Sequence, residues 1–318
     1  MAKIGIVLAT YNGEKYLPQM LDSLLAQTRP ADIIVVVDDG SKDSTVSILE
    51  SYKDKLPLQI TCMPENRGHR AAFSKALEIA RPLLADDDLI ALADHDDIWC
   101  PQKLQQLEEA IETPCDGKLP TLVFGDATVI DAEGKPLYDS WRTVAHIQAE
   151  LPVETRIAGT NNITGCMSIF RASLLKYILP IPAAVGVHDA WIGLLAAKHG
   201  TIKAIDTPVI QYRLHGNNSV GLGNRYSFDE TCKRQIDWTD MLISQSNLLN
   251  LNTPETAFLQ KLNRYWHKRA ERAVLAEEFP FLLRFSHFLF PEQRGRLKKV
   301  LFSLLGAPAV HLLFGHDK

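Results

Sequence analysis

The chain has 318 residues, of which 46% are hydrophobic and 23% are charged, and its formal net charge is −4. This length and composition predict a globular protein of one large or two modest domains, and the small net charge excludes nucleic acid as an expected partner. Five scattered cysteines without a CxxC pair argue against a disulfide framework and a structural zinc site, and favour a reducing cytoplasm.

The first 111 residues alternate between short apolar runs and longer amphipathic segments, the pattern of βαβ units around a mainly parallel sheet. Between the runs, apolar residues recur at helical spacing, so a helix is predicted after each strand. The predicted strands cover residues 3–10, 33–39, 58–63 and 89–94.

After Pro114 the pattern changes to strand, turn and strand over residues 121–137, so the second half of the sheet is predicted to be mixed. A helix over residues 188–199 is expected to end at Gly200, and two short strands are expected to follow it. From Phe228 onward the pattern is helical. We therefore predict an α/β domain over residues 1–225 and a helical extension over residues 226–318.

Each of the first four predicted strands ends in polar residues. In open α/β sheets ligands bind at the carboxyl ends of the strands, so this convergence predicts a binding site there. The four strand ends read Ala9-Thr10-Tyr11-Asn12, Asp38-Asp39-Gly40-Ser41, Pro64-Glu65-Asn66-Arg67-Gly68 and Asp94-His95-Asp96-Asp97.

The fourth strand end collects three carboxylates, which repel one another unless a positive charge lies among them. Mg²⁺ or Mn²⁺ prefers such oxygen ligands and leaves positions for the phosphate oxygens of a substrate. A solvated turn that caps the following helix is the alternative interpretation. Asp86-Asp87-Asp88 precedes its strand, and for that run we expect only solvation.

Together these motifs resemble the nucleotide-sugar half of the family 2 glycosyltransferases, which have the GT-A fold, a Rossmann-like mixed sheet flanked by helices. The resemblance covers roughly the first 225 residues, and the later motifs are most similar to the rhamnosyltransferase branch. It is carried by "VLATYNGEKYL", "VVVDDGSKDST", "ENRGHRAAFSKAL" and "ADHDDIWCPQKL", and then by "ITGCMSIFRASLL", "HDAWIGLLA" and "YRLHGNNSVG".

The resemblance implies inverting, metal-dependent transfer of a sugar, with L-rhamnose as the first choice, to a hydroxyl of a saccharide acceptor. The donor would be a dTDP- or UDP-sugar, and the product a cell-surface polysaccharide such as O-antigen. On the donor side, Tyr11 would lie against the nucleotide base and Asp39 would accept the ring N–H of a pyrimidine. The family pattern favours Asp39 over Asp38, which would support the structure. Residues Ala9, Asn66, Arg67 and Arg70 complete this implied nucleotide-sugar set.

The arginines could reach phosphate oxygens, although a plain surface role is equally open for one of them. Asp96 would coordinate the metal, Asp94 would touch the ribose or the metal, and Asp97 would support the helix start or the loop. For His95, in the middle of the motif, the role stays open.

Asp189 stands where the family has its catalytic carboxylate, which takes the proton from the acceptor hydroxyl. A plain N-cap role would also explain its position at a helix start. Trp191 would shape the donor and acceptor side of the site or else pack in the core. His215 would complete the metal or diphosphate shell or else be an ordinary loop histidine.

Near the C-terminus, residues 279–290 and 296–305 combine apolar helical faces with basic residues, which suits an anionic bilayer surface. No apolar run reaches the roughly 18 to 20 residues that span a bilayer. We therefore expect a cytoplasmic protein, with peripheral contact to the inner face of the membrane if the acceptor is lipid-linked. Packing on the catalytic domain or on a second subunit is the alternative.

Two other function classes compete with this interpretation. A sugar nucleotidyltransferase needs a Gly-rich loop with a basic residue after the first strand, which "LATYNGEKY" does not supply. A non-catalytic nucleotide-sugar-binding scaffold would lack the metal ligand or the base, and both Asp96 and Asp189 are present.

Overall fold

The computed structural model describes residues 2–216, 226–271, 276–291, 299–300 and 304. The chain divides into two compact units, Met1–Glu150 with Asn162–Asn224, and Leu151–Asn161 with Arg225–Lys318. The division into domains 1–225 and 226–318 stays a prediction, and the structure adds that a short inserted segment belongs to the second unit.

The described strands, in chain order, are β1 (Ile4–Thr10), β2 (Ile33–Asp38), β3 (Leu58–Cys62), β4 (Leu89–Asp94), β5 (Ile98–Trp99), β6 (Leu122–Ile130), β7 (Pro136–Tyr138), β8 (Ser168–Arg171) and β9 (Ile202–Arg213). The described helices are α1 (Leu17–Leu25), α2 (Thr45–Ser51), α3 (His69–Ala80), α4 (Lys103–Ile111), α5 (Trp141–Val144), α6 (Val153–Ile157), α7 (Leu175–Ile178), α8 (His188–His199), α9 (Phe228–Ser244), α10 (Ser246–Leu249), α11 (Thr253–Ala270), α12 (Phe279–Arg284) and α13 (Ser286–Leu289).

In the first unit all of the described strands form one sheet in the order β3-β2-β1-β4-β8-β6-β9-β5, and β7 pairs with β6. The pairs among β1 to β4 are parallel, whereas β8 runs antiparallel to β4 and β6. The predicted α/β class, the four parallel strands and the mixed second half are therefore confirmed.

The core of the sheet is shielded from solvent, because β1, β2 and β4 are buried along almost their whole length. Strands that are covered on both faces read as continuous apolar runs, and this explains why the sequence indicated them clearly. Helices such as α1 cover the sheet with one apolar side, on which Leu17, Met20 and Leu21 are completely buried.

Two features of the sheet differ from the prediction. The two short strands expected after Gly200 form one long strand, β9, which follows β6 through two register shifts near Asp126. A Cβ on Gly125 would lie 2.7 Å from Val209 Cγ1, so a residue without a side chain is needed where the two strands approach. The short strand β5 was not predicted, and it fixes the acidic turn by pairing with β9.

In the second unit the described chain is helical, as predicted. Helices α9 and α11 both begin with a capping box, in which Ser227 and Asn252 exchange hydrogen bonds with Glu230 and Glu255. Trp238 of α9 is buried and donates from Nε1 to the Ile157 carbonyl of α6. The predicted amphipathic segment 296–305 lies almost wholly outside the described residues. No helix in the described ranges is both long and apolar enough to cross a bilayer.

Candidate active site

The parallel register brings the predicted strand ends together. Ala9 of β1 pairs with Asp94 of β4, and the next residue, Thr10, pairs with Asp38 of β2. Thr10 also donates from Oγ1 to Asp38 Oδ1 over 2.9 Å. The side chain of Tyr11, which follows β1, is 42% exposed, so core packing does not describe it. The sheet therefore presents these residues along one edge.

Asp39 fixes the loop that follows β3. Its carboxylate is buried and accepts hydrogen bonds from the backbone N–H groups of Arg67 and Gly68, each over 2.8 Å. Asp38 is likewise occupied, because it accepts hydrogen bonds from Thr10 and from the backbone N–H of Ser41. The supporting role expected for Asp38 agrees with these contacts. A carboxylate oxygen of Asp39 still has lone-pair capacity for one ring N–H.

The side chains of the β3 loop lie at the surface, and Arg70 follows in the first turn of α3. Arg67 is exposed and pairs with Glu65 over 3.1 Å, while Asn66 accepts the Gly68 N–H. Arg70 is half-buried, and its Nη1 lies 3.5 Å from the carbonyl oxygen of Ile181. The backbone of Arg67, rather than its guanidinium, makes the contact with Asp39.

The acidic turn between β4 and β5 meets the end of β9 at Asp96. Asp96 Oδ2 lies 2.8 Å from His215 Nε2, and both side chains are at least 85% buried. Burial acts to raise the pKa of Asp96, but the hydrogen bond to His215 and the charges of His95 and His215 outweigh it and lower that pKa. The structure thus brings together two predicted metal-shell residues that are 119 positions apart in the sequence.

The donor set suits a divalent cation. An octahedral ion with bonds of about 2.1 Å holds adjacent ligands roughly 3 Å apart, close to the separation of Asp96 Oδ2 and His215 Nε2. One carboxylate oxygen and one imidazole nitrogen at this spacing fit Mn²⁺. Among the described residues, Asp94 does not form one group of ligand atoms within 4.8 Å with Asp96 and His215. His95, whose role the sequence left open, packs on the loop after β1, where a Cβ on Gly13 would lie 2.6 Å from its ring.

Asp97 faces inward, and its role differs from the expectation. It is buried and supports β9 rather than the start of α4, because its Oδ1 accepts the Arg213 N–H over 3.0 Å. Its Oδ2 is buried, and the Cys166 side chain lies close enough to act on the Asp97 carboxyl group. Among the described residues, Asp94, Asp97 and Cys166 form the group whose possible ligand atoms all lie within 4.8 Å of one another.

Burial dominates the electrostatics of this inner group. Burial and the charge of Asp96 raise the pKa of Asp94 to about 7, and they raise that of Asp97 well above its usual range. Burial also raises the pKa of the Cys166 thiol. Lys103 is completely buried beside them. Burial lowers its pKa to about 7, against the opposing negative charges of Cys166, Asp97 and Asp94.

Sequence reasoning missed Arg213. Its buried guanidinium donates to the Asp96 carbonyl over 2.9 Å and to Gln19 Oε1 over 2.7 Å, and it lies 4.7 Å from the ring centre of Tyr16. The same ring is 5.0 Å from that of His215. Arg213 stands two residues before His215, and this proximity in "YRLHGN" was the available signal.

Asp189 lies in the first turn of α8, but it is not the N-cap, which is Val187. Its Oδ2 accepts the backbone N–H of Gly165 over 3.2 Å. Burial raises the pKa of Asp189 to about 6, while hydrogen bonds from backbone N–H groups oppose the shift. The charge of Asp189 is among the causes that raise the pKa of Asp94, so the two carboxylates interact.

Trp191 and His188 belong to the interior. Of the two roles predicted for Trp191, the structure favours core packing, because the residue is completely buried and donates from Nε1 to the Ile178 carbonyl over 3.0 Å. His188 stacks on Phe73 at 3.8 Å between ring centres. Burial, with a contribution from His69, lowers the pKa of His188 to about 3, so this imidazole is neutral.

Comparison with known proteins adds a family to this geometry. The family model described as glycosyl transferase family 2 matches residues 5–179. The dTDP-rhamnosyl transferase RfbG of Shigella flexneri is 27% identical over 227 residues, which cover 67% of this chain and 73% of RfbG.

Two solved structures share the fold. The crystal structure of residues 1–349 of Staphylococcus aureus TarS in complex with UDP-GlcNAc matches with a TM-score of 0.60 and 19% identity, over 98% of this chain and 83% of that one. TarS is a poly(ribitol-phosphate) β-N-acetylglucosaminyltransferase, and a 70-residue stretch, 21% of this chain and 12% of TarS, is 41% identical. The mannosyltransferase PcManGT of Pyrobaculum calidifontis, in complex with GDP-Man and Mn²⁺, matches with a TM-score of 0.52 and 19% identity, over 99% of this chain and 88% of that one.

Proposed function

We propose that this chain, which belongs to glycosyl transferase family 2 and is therefore an enzyme that transfers sugar, uses dTDP-L-rhamnose as its donor. The proposed transfer of L-rhamnose inverts the configuration at the anomeric carbon and depends on a metal ion. The acceptor would be a hydroxyl of a saccharide in the synthesis of a cell-surface polysaccharide. The similarity to RfbG supports the donor, and the similarity to TarS supports a cell-surface polymer as the product. A UDP-sugar is the alternative donor.

One observation carries the proposal. Asp96, which belongs to the same acidic turn as Asp94, lies 2.8 Å from His215. The charge of Asp94 in turn interacts with the charge of Asp189. A cation-binding pair and a carboxylate base are the two requirements of this displacement, because one must stabilise the departing diphosphate while the other accepts a proton.

In the proposed reaction Asp94, Asp96 and His215 would hold Mg²⁺ or Mn²⁺, and the ion would supply positive charge for the phosphate oxygens of the donor. Tyr11 lies against the base, and Asp39 accepts its ring N–H. Asp189 takes the proton of the acceptor hydroxyl as that oxygen attacks the anomeric carbon from the side opposite the nucleotide. With a pKa of about 6, Asp189 is largely ionised at neutral pH and ready to accept this proton.

The acceptor is proposed to be lipid-linked, and the protein to lie on the inner face of the membrane. Helix α12 supports this placement, because Phe279 and Leu283 are 39% and 51% exposed beside the exposed Arg284. Apolar side chains next to a basic residue suit an anionic lipid surface. Flotation with anionic vesicles tests it: Phe279→Glu with Leu283→Glu should release the protein, and equal flotation of variant and wild type would refute the placement.

The central experiment measures turnover of dTDP-L-rhamnose and of a UDP-sugar panel by the purified chain, with Mn²⁺, with Mg²⁺ and with EDTA. Metal-dependent turnover with the rhamnose donor is the expected result. Asp189→Asn should bind the donor normally but fail to transfer. Binding without any turnover would favour the scaffold interpretation, and metal-independent turnover would refute the proposed metal role.

A further inference from the structure

The second unit buries a positive charge that the proposed reaction does not use. Arg156 of α6 is 4% exposed, and the Nε and Nη1 atoms of its guanidinium are buried without a hydrogen-bond partner among the described residues. The backbone around it is ordered, because Gly159 donates its N–H to the Arg156 carbonyl and Trp238 donates to the Ile157 carbonyl. A fixed helix therefore carries this guanidinium, and not a free end of the chain.

Arginine is almost never buried to this extent unless it is paired. Burial lowers the pKa of Arg156 to about 10, so the group keeps its proton at neutral pH, and no charge from the described part of the chain opposes that shift. An isolated charge is costly where water is excluded. The guanidinium of Arg156 thus needs an anion that the described residues do not supply.

The open atoms of Arg156 indicate the chemistry of that anion. A guanidinium binds oxygens in pairs along two edges, one formed by Nε with Nη2 and one by Nη1 with Nη2. Both edges lack an acceptor here, and Nη2, unlike Nε and Nη1, is not fully buried. A carboxylate has two oxygens and fills one edge, whereas a phosphate group has more acceptor oxygens and can serve both.

We propose that Arg156 binds a phosphate group, which supplies the missing counter-charge and forms an anion site within the second unit. The preceding residue, Thr155, is 0% exposed, and its Oγ1 also lacks a partner in the described chain, so the same turn of α6 leaves a hydroxyl free. The phosphate can be free in solution, or it can be the group that links a saccharide to a lipid. Only the lipid source rests on the proposed function.

The test compares the full-length wild type with Arg156→Met and Arg156→Lys by thermal melting, with and without inorganic phosphate at constant ionic strength. Without phosphate, Arg156→Met should melt at a higher temperature than the wild type, because an apolar side chain replaces an uncompensated buried charge. Added phosphate should raise the melting temperature of the wild type. Arg156→Met should show only the small rise that excluded salts give to proteins in general.

Calorimetric titration with inorganic phosphate measures the affinity itself. Arg156→Met should weaken phosphate binding at least about tenfold, the lower end for a hydrogen bond to a charged group. Arg156→Lys should lie between this variant and the wild type, because an ammonium keeps the charge but loses the two-edged fork. Arg264→Met, at an exposed position of α11, is the matched control and should change neither the melting temperature nor the phosphate affinity.

Vesicle flotation separates the two sources of phosphate. Vesicles with phosphatidic acid, whose headgroup is a phosphate monoester, are compared with phosphatidylglycerol vesicles of matched surface charge. Flotation that prefers phosphatidic acid and depends on Arg156 would identify a lipid phosphate. Calorimetric binding of inorganic phosphate without that preference would identify a soluble one.

The inference is overturned if the wild type binds neither inorganic phosphate nor phosphatidic acid through Arg156. It is also overturned if Arg156→Met melts at a lower temperature and keeps its phosphate response, which would show a packing role. If Arg156→Met does not fold, Arg156→Lys decides: weaker phosphate binding supports the site, and unchanged binding removes it. None of these measurements uses sugar transfer, so a failure of the proposed rhamnosyl transfer would leave them unaffected.

Discussion

Two pairs of adjacent aspartates follow the strands on either side of β1, and their surroundings differ. Asp38 accepts the Ser41 N–H in its own loop, and Asp39 accepts the N–H groups of Arg67 and Gly68 in the loop after β3. These donors compensate the charges of the two carboxylates. Asp96 meets the His215 imidazole, and Asp97 accepts the Arg213 N–H and lies close to the buried Cys166 thiol. A carboxylate supplied with backbone donors holds a loop, whereas Asp96, which meets an imidazole instead, has the donor set that a divalent cation uses.

The largest effect should come from the acidic turn. Asp96→Ala removes a metal ligand, and we expect metal-dependent turnover to fall by about a thousandfold, since the charge on the departing diphosphate is then poorly stabilised. Asp87→Ala, at an exposed residue before β4, is the control and should retain full activity. Its neighbour Asp88 is unsuitable, because it is buried and accepts the Lys3 and Ala85 N–H groups, where solvation had been expected for the whole run. Turnover of Asp96→Ala that still responds to Mn²⁺ would remove Asp96 from the metal site.

Substitution of Asp39, in the pair of aspartates at the end of β2, should lower both the stability of the protein and its affinity for the nucleotide. Asp39→Asn places an amide N–H opposite one of two backbone donors, so we expect a loss of about 2 kcal/mol in the free energy of unfolding. Nucleotide affinity should fall about tenfold, measured by calorimetry without metal. A variant that loses metal binding but keeps nucleotide affinity would break the contrast between the two pairs.

The pH dependence of turnover should report on Asp189, the proposed base, rather than on the two aspartate pairs. Asp189 must be deprotonated to accept a proton, and its pKa is raised to about 6. Turnover at saturating donor and metal should therefore rise as pH increases from 5 to 7, with a midpoint near 6. The measurement is kcat against pH, and a flat profile over this range would contradict the role of Asp189.

The smallest effect on activity should come from Trp191, because it lies in the core. Trp191→Phe leaves a cavity and a buried Ile178 carbonyl without its donor, so the free energy of unfolding should decrease by about 3 kcal/mol. KM for donor and acceptor should remain unchanged. A large rise in KM with unchanged stability would return Trp191 to the site.

Much of the site was readable from the sequence because strand ends are local signals. An apolar run that stops at a polar residue marks where a buried strand leaves the core, and parallel strands bring these points to one edge. The placement of Asp39 and Asp94 at one edge of the sheet followed from this rule, whereas the structure showed that both lie beside β1. The later strands were harder to read, because pairing through bulges merged two apparent strands into β9.

The sequence by itself determined the fold class, the existence of the first four strands and the polar residues at their ends. Only the tertiary structure decided that Asp97 faces Arg213, that Lys103 lies beneath the turn and that Trp191 is internal. It also brought His215 to Asp96 across 119 residues. The physical reason is that periodicity shows which residues share a side of one element, whereas charge compensation and burial depend on which other elements cover that side.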